Sequence, residues 1–396
     1  MSQERTGNRP YDLVLFGATG FTGGLTAEYL ARSAPSNCRW ALAGRSREKL
    51  EAVRERLAAI DPALADLPLL QADVTDAASL QHVAESARVV ITTVGPYIEY
   101  GEPLVAACAE AGTDYVDLTG EPEFVDRMYV GYHERAKETG ARIVHACGLD
   151  SIPHDLGAWF TVQQLPQGVP VKVRGMFRAG GRLSGGTFAS AMTAFSRGRQ
   201  LAQARAARRE LEPRPAGRKV RVSARAPHRD GDTGWWLVPL PTIDPLVVKN
   251  SALALDRYGP DFEYAHYAAV KRLPVVLGGV AGVGALVAAA QVPPLRRFLI
   301  NRVPQGEGPS EERRARSWFR MRFVGEGGGR RVVTEVSGGD PGYGETAKML
   351  AESALCLAFD DNPRVAGNVT TATAMAENLV DRLVKAGIRF EVLETT

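Results

Sequence analysis

From Tyr11 to Cys147, short apolar runs alternate with longer stretches whose apolar residues recur at helical spacing. Asp12–Phe16, Arg39–Ala43, Leu69–Asp73, Arg88–Val94, Asp114–Asp117 and Arg142–His145 predict six strands. Between them a helix is expected to run to about Ser33, and a second over Glu48–Ile60, with Leu50, Val53, Leu57 and Ile60 on one face. A third opens near Asp76, and a fourth covers Glu102–Ala111. Continuously apolar strand cores suit a sheet covered on both faces, and a helix between successive strands calls for right-handed crossovers. The expected class is α/β, with an N-terminal Rossmann-type doubly wound parallel sheet.

Beyond Pro153 the rhythm changes. Val171–Phe177, Lys219–Arg225, Trp235–Val238 and Glu263–Val270 read as strands, and Thr187–Leu211 as one long helix. Phe319–Val324 and Val332–Val336 bracket a glycine-rich turn and read as a hairpin; two helices follow, over Glu345–Phe359 and Thr371–Ala386. This predicts a second, mixed α+β domain, mostly antiparallel. The expected division is a flexible lead over 1–10, a dinucleotide-binding domain over 11–150, a substrate domain over 151–340, and C-terminal helices over 341–396. One segment stands apart. Residues 273–292 carry no charge and approach the roughly 20 apolar residues that cross a bilayer. Four glycines and five alanines make it a weak span. A buried hairpin, a dip into a membrane surface, or a wall of an apolar-substrate pocket each fits better.

Composition narrows the classes. With 396 residues, 45% of them hydrophobic and 23% charged, the chain has material for two soluble cores. A net charge of +3 is too mild to indicate nucleic acid. The cluster Arg205-Ala-Ala-Arg208-Arg209 is followed at once by Glu210 and Glu212, and reads as a solvated helix face. Cys38, Cys108, Cys147 and Cys356 lack metal-ligand spacing and read as reduced core residues of a cytoplasmic protein. The first ten residues lack the apolar region of a signal peptide. His145 and His154 have no partners at ligand spacing, so no metal site is expected, and each reads as a hydrogen-bonded structural histidine.

The candidate chemistry lies at strand ends. Gly17-Ala18-Thr19-Gly20-Phe21-Thr22-Gly23 falls between the first strand and the first helix, where a dinucleotide fingerprint must fall. One glycine makes the sharp turn, one admits the pyrophosphate to the backbone, and one lets helix and strand pack closely. After the second strand come Arg45 and Ser46, with no acid before Glu48; this favours the 2′-phosphate of NADPH over the free ribose of NADH. Asp73 and Val74 end the third strand, beside the adenine. Gly95, Pro96 and Tyr97 end the fourth, at the crevice that receives the nicotinamide. Tyr97 either donates a proton there or walls the pocket. Asp150 and Ser151 follow the sixth strand and face the domain junction, as catalytic groups or as the cap of a helix starting at Pro153. Tyr267 and Lys271 match a Tyr-x-x-x-Lys pair but lie in the wrong domain, and read as coincidence.

Gly17–Gly23, Ala43-Gly-Arg-Ser46, Val94-Gly-Pro-Tyr97, Gly148-Leu-Asp-Ser-Ile-Pro153, Ser184-Gly-Gly-Thr187 and Asp340-Pro-Gly-Tyr-Gly-Glu-Thr346 together resemble the saccharopine dehydrogenase-like family. With Gly308-Pro-Ser-Glu-Glu-Arg313, the chain is most similar to its trans-acting enoyl reductase branch. The resemblance implies C-terminal helices that return to the domain junction. It also implies NADPH-dependent reduction of an unsaturated acyl or polyketide thioester, held on a carrier domain of a polyketide synthase. The uncharged segment would then wall an acyl tunnel or make peripheral contact with the cytoplasmic face of a membrane. Two alternatives stay open: a related oxidoreductase acting on another substrate, such as an imine, and a non-catalytic NADPH-sensing regulator.

Overall fold

A computed structural model describes residues 9–180, 185–213, 215–302 and 309–396. Ser184 and Gly308 of the family-like motifs lie outside them. The first six strands are β1 (Tyr11–Phe16), β2 (Trp40–Gly44), β3 (Leu69–Gln71), β4 (Ala87–Thr92), β5 (Asp114–Val116) and β6 (Arg142–Val144). Then come β7 (Val171–Gly180), β8 (Lys219–Ser223), β9 (His228–Arg229), β10 (Trp236–Pro239), β11 (Asp261–Val270), β12 (Trp318–Gly327) and β13 (Arg330–Gly338). Last are β14 (Gly367–Val369) and β15 (Arg389–Thr395).

The first sheet is fully parallel in the order β14-β6-β5-β4-β1-β2-β3. It is the expected Rossmann-type sheet with one correction. A seventh strand, β14, is supplied from near the C-terminus and pairs with β6. Leu13, Leu15, Val89 and Ile91 point to one covered face and Val14, Val90 and Tyr115 to the other. The second sheet runs β15-β13-β12-β7-β11-β10-β9, with β8 also on β11. It is mixed: β7 and β8 run parallel to β11, and the other pairs are antiparallel.

The C-terminal stretch serves both sheets. Helix Gly344–Phe359 packs on β4 and on helix Phe21–Ser33, where the Tyr29 hydroxyl donates to Glu352 at 2.7 Å. Asp155, on helix Ile152–Gln163, is fully buried and accepts from the Ser251 hydroxyl (2.5 Å), the Thr371 hydroxyl (2.6 Å) and the Ala372 amide (2.9 Å). One carboxyl thereby fastens three segments far apart in sequence.

Four further expectations need correcting. The helix expected over Thr187–Leu211 is two, Gly185–Ser196 and Gly198–Leu211; they break at Arg197, whose guanidinium makes a bidentate pair with Glu123 at 2.7 Å. The helix expected over Thr371–Ala386 also breaks, at Met375, and the second piece starts at Ala376, where φ is +42°. Arg208 is not part of a solvated face. It is buried over the Tyr129 ring and pairs with Asp126 at 3.1 Å and Glu212 at 2.8 Å. At the N-terminus, Arg9 is tied down by the carbonyls of Ala87 and Ala111 and by the Thr113 hydroxyl.

Candidate active site

The turn after β1 closes tightly. Gly17 has φ +92°, and a Cβ there would lie 2.7 Å from Val94 Cγ2 and 2.8 Å from Thr93 Oγ1. At Gly23, in the first turn of helix Phe21–Ser33, a Cβ would fall 2.1 Å from the Gly17 carbonyl oxygen. Only glycine lets the helix approach the turn so closely. The Thr93 hydroxyl donates to that same carbonyl at 3.1 Å and pins the turn to the end of β4. Ala18 is buried beneath the turn, while Thr19 and Gly20 are exposed and Phe21 and Thr22 half-buried. Gly20 is the N-cap and offers no side-chain cap. The amides of the first turn are therefore left for an anion, which the helix dipole also favours. These residues fit a dinucleotide pyrophosphate.

At the neighbouring strand ends, Arg45 is exposed, and its backbone carbonyl accepts from Gln71 at 3.3 Å. Ser46 caps the next helix by accepting the Lys49 amide at 3.3 Å. The Asp73 carboxylate accepts from the Thr75 amide (2.9 Å) and hydroxyl (2.7 Å), which hold it below the usual carboxylate range; Arg45 adds to this. Val74 is half-buried in the adjoining core. Arg45, Ser46 and Asp73 thus share one end of the β2–β3 pair.

The fourth strand end differs from expectation. Gly95 and Pro96 form the rim, but Tyr97 turns inward and is only 6% exposed. Its hydroxyl donates to the Thr92 carbonyl and accepts the Leu118 amide, both at 3.2 Å. Burial, and then the charge of Asp117, push the phenol's pKa well up. With both partners in the backbone, Tyr97 ties β4 to the loop after β5, and its hydroxyl is no free proton donor. A group the sequence reading missed stands next to it. Glu121 is buried and accepts the amides of Tyr97 (3.1 Å) and Ile98 (2.8 Å) and the Ser190 hydroxyl (2.9 Å). Asp117 accepts from Tyr115 and from the Thr119 and Ala146 amides, and lies 2.6 Å from His145 Nδ1. His145 is therefore a partnered structural histidine.

After β6, the half-buried Asp150 faces Gly120, where a Cβ would lie 3.4 Å from its Oδ2. Burial first, and the nearby Asp244 charge second, push its pKa up to about 7. Ser151 is fully buried, so it presents no hydroxyl to the cleft. Its expected catalytic role is corrected on that ground. His154 has partners after all. Its Nδ1 lies 3.1 Å from Asp244, and His266 Nε2 lies 3.6 Å from the same carboxylate. All three side chains are buried, with ligand atoms within 4.8 Å of one another, a set of a kind that can hold a cation. Burial pushes both imidazoles down, His266 to about 3 with His154 adding to the effect. Burial would raise Asp244, but the two imidazoles and the Thr242 hydroxyl outweigh it.

The loop Asp340–Thr346 joins these parts. Asp340 accepts the Tyr343 and Gly344 amides at 3.1 and 2.9 Å. Tyr343 stacks edge-on against Phe21, ring centroids 4.9 Å apart, and Thr346 accepts the Leu149 amide at 3.3 Å. The Tyr267-x-x-x-Lys271 pattern has no part in this. Tyr267 is buried in the second sheet, accepting the Arg225 amide, while Lys271 is exposed.

A parallel sheet whose central strand β1 leads through a three-glycine turn into an uncapped helix start defines a dinucleotide-binding protein. Residues 13–144 match the saccharopine dehydrogenase NADP-binding domain. A trans-acting enoyl reductase of Mycobacterium tuberculosis is 37% identical over 96% of this chain and 97% of its own length. One of Mycobacterium ulcerans is 36% identical over the same shares. The chain belongs to the saccharopine dehydrogenase-like family, in its trans-acting enoyl reductase branch. The solved apo saccharopine dehydrogenase (L-Glu forming) of Saccharomyces cerevisiae shares the fold at TM-score 0.55 and 13% identity, over 98% of this chain and 100% of that one.

Proposed function

We propose that this protein reduces the carbon–carbon double bond of an unsaturated acyl thioester presented by a polyketide synthase carrier domain. The full-length likeness to proteins named for that activity supports the substrate class. The observation that carries the chemistry is the place of Asp150 after β6, facing Gly120, where burial and the Asp244 charge push its pKa up to about 7.

The Gly17–Gly23 turn would hold the cofactor's pyrophosphate, Arg45 and Ser46 its 2′-phosphate, Asp73 and Val74 its adenine side, and Gly95 and Pro96 the rim beside its nicotinamide. Bound NADPH supplies a hydride, which conjugate reduction places on the β-carbon. A proton must then reach the α-carbon, and Asp150 is the group we assign to hold it. Glycine at 120 leaves room beside that carboxyl. Residues 151–340, with the second sheet, form the substrate side of the junction. The test is consumption of NADPH by purified protein with an enoyl thioester on an isolated carrier domain, followed by mass analysis for two added hydrogens. Reduction of an imine but of no enoyl thioester would move the chain to a different reaction on the same fold.

A further inference from the structure

Residues 273–292 form neither a buried hairpin nor a core helix. Helix Leu273–Ala290 lies on the surface, and only Val276 and Ala290 along it are buried. Leu277 is 63% exposed, Val280 49%, Val283 44% and, on the next helix, Phe298 53%. A helix apolar on all sides is normally covered on all sides. This one is long enough to cross a bilayer, yet both ends rest on the protein. Its start packs on β10 and β11, and at its end Gln291 donates to the Phe195 carbonyl at 2.8 Å. It therefore lies along the surface.

The charges around it select the covering partner. No Asp or Glu occurs between Glu263 and Glu307, whereas Lys271, Arg272, Arg296, Arg297 and Arg302 frame the apolar stretch. Lys271 and Arg272 stand at the helix N-terminus, where the macrodipole disfavours cations, so helix stability does not explain them. An anionic headgroup layer over hydrocarbon complements both features.

We propose that the two helices spanning Leu273–Arg302 seat the protein on one leaflet of an anionic membrane, with Leu277, Val280, Val283 and Phe298 in the acyl region and the five cations at the headgroups. The seat adjoins helix Gly185–Ser196, which reaches Glu121 through Ser190. It thus places the candidate site close to the bilayer. The proposal is independent of the enoyl reductase reading, because binding is measured without cofactor or turnover.

The full-length protein is floated with phosphatidylcholine vesicles, with and without phosphatidylglycerol. Expected is flotation with the anionic vesicles, weakened by added salt. Arg297→Gln/Arg302→Gln should lower the partition roughly twenty-five-fold, at about a five-fold loss per cation. Leu277→Glu/Val280→Glu should lower it roughly a hundred-fold or more, with thermal stability unchanged because both side chains are exposed. Failure of the unaltered protein to float, or equal flotation with neutral vesicles, overturns the assignment. So does a dimer by light scattering that Leu277→Glu/Val280→Glu splits, since a second copy would then cover this face.

Discussion

Replacing Asp150 with Asn tests whether the carboxyl at the sheet edge supplies the proton. A donor must be protonated, and at a pKa of about 7 roughly half the molecules qualify at neutral pH. At the ordinary value of 3.8 only about one in a thousand would. Turnover should therefore fall about tenfold per pH unit above 7. Asp150→Asn should lower turnover by about 10²-fold or more, abolish that alkaline limb and leave NADPH affinity unchanged. Stability should move the other way. The folded pKa lies above the unfolded one, so the favourable contribution is complete below about pH 4 and is lost as pH rises through about 7. The gap of about three units corresponds to at most about 4 kcal/mol, and to less because Asp244 shares the effect. The Asn variant, which cannot ionise, should gain in melting temperature relative to the wild type as pH is raised from 5 to 8. Single-turnover rates across this pH range and melting curves measure both effects. Turnover within a few-fold of wild type, with the alkaline limb intact, would refute the assignment.

Three further outcomes are expected. Arg45→Ala should erase most of the preference for NADPH over NADH, a loss of about 1.5–3 kcal/mol or roughly ten- to a hundred-fold, read by titration calorimetry. Equal affinities in the wild type would contradict this. Gly23→Ala forces its methyl against the Gly17 carbonyl, and should weaken NADPH binding by about 1–3 kcal/mol while circular dichroism stays native. Tyr97→Phe strips the Thr92 carbonyl and the Leu118 amide of a buried partner, so it should cost about 1–3 kcal/mol of stability with turnover little changed. A large turnover loss without destabilisation would restore the tyrosine to the chemistry.

The first sheet was legible because each of its first six strands is an apolar run closed by a local signal, and the Gly17–Gly23 turn is local too. β14 was not. Its three residues Gly-Asn-Val carry no periodicity, and their strand geometry comes wholly from pairing with β6. β15 alternates Phe390 and Val392 with charges, but as a mostly exposed edge strand it carries little apolar signal. The break at Arg197 and the burial of Arg208 share one cause. Both guanidiniums answer carboxylates on helix Pro122–Thr139, about 80 residues earlier, and no window along the chain contains both partners.

The same reasoning separates the readable part of the site from the rest. A pyrophosphate cradle needs glycines a few residues apart, so spacing exposes it. The proton-holding property of Asp150 comes from burial first and from the nearby Asp244 charge second. Asp244 keeps its charge where His154, in the first turn of helix Ile152–Gln163, meets Thr242 and His266 around one carboxylate. Helix Ile152–Gln163, which begins at this point, is then fixed by Asp155 to Ser251 and Thr371. A sequence pattern could mark Asp150 as a polar residue at a strand end. Its acidity is a property of the folded junction, set first by burial and then by the Asp244 charge.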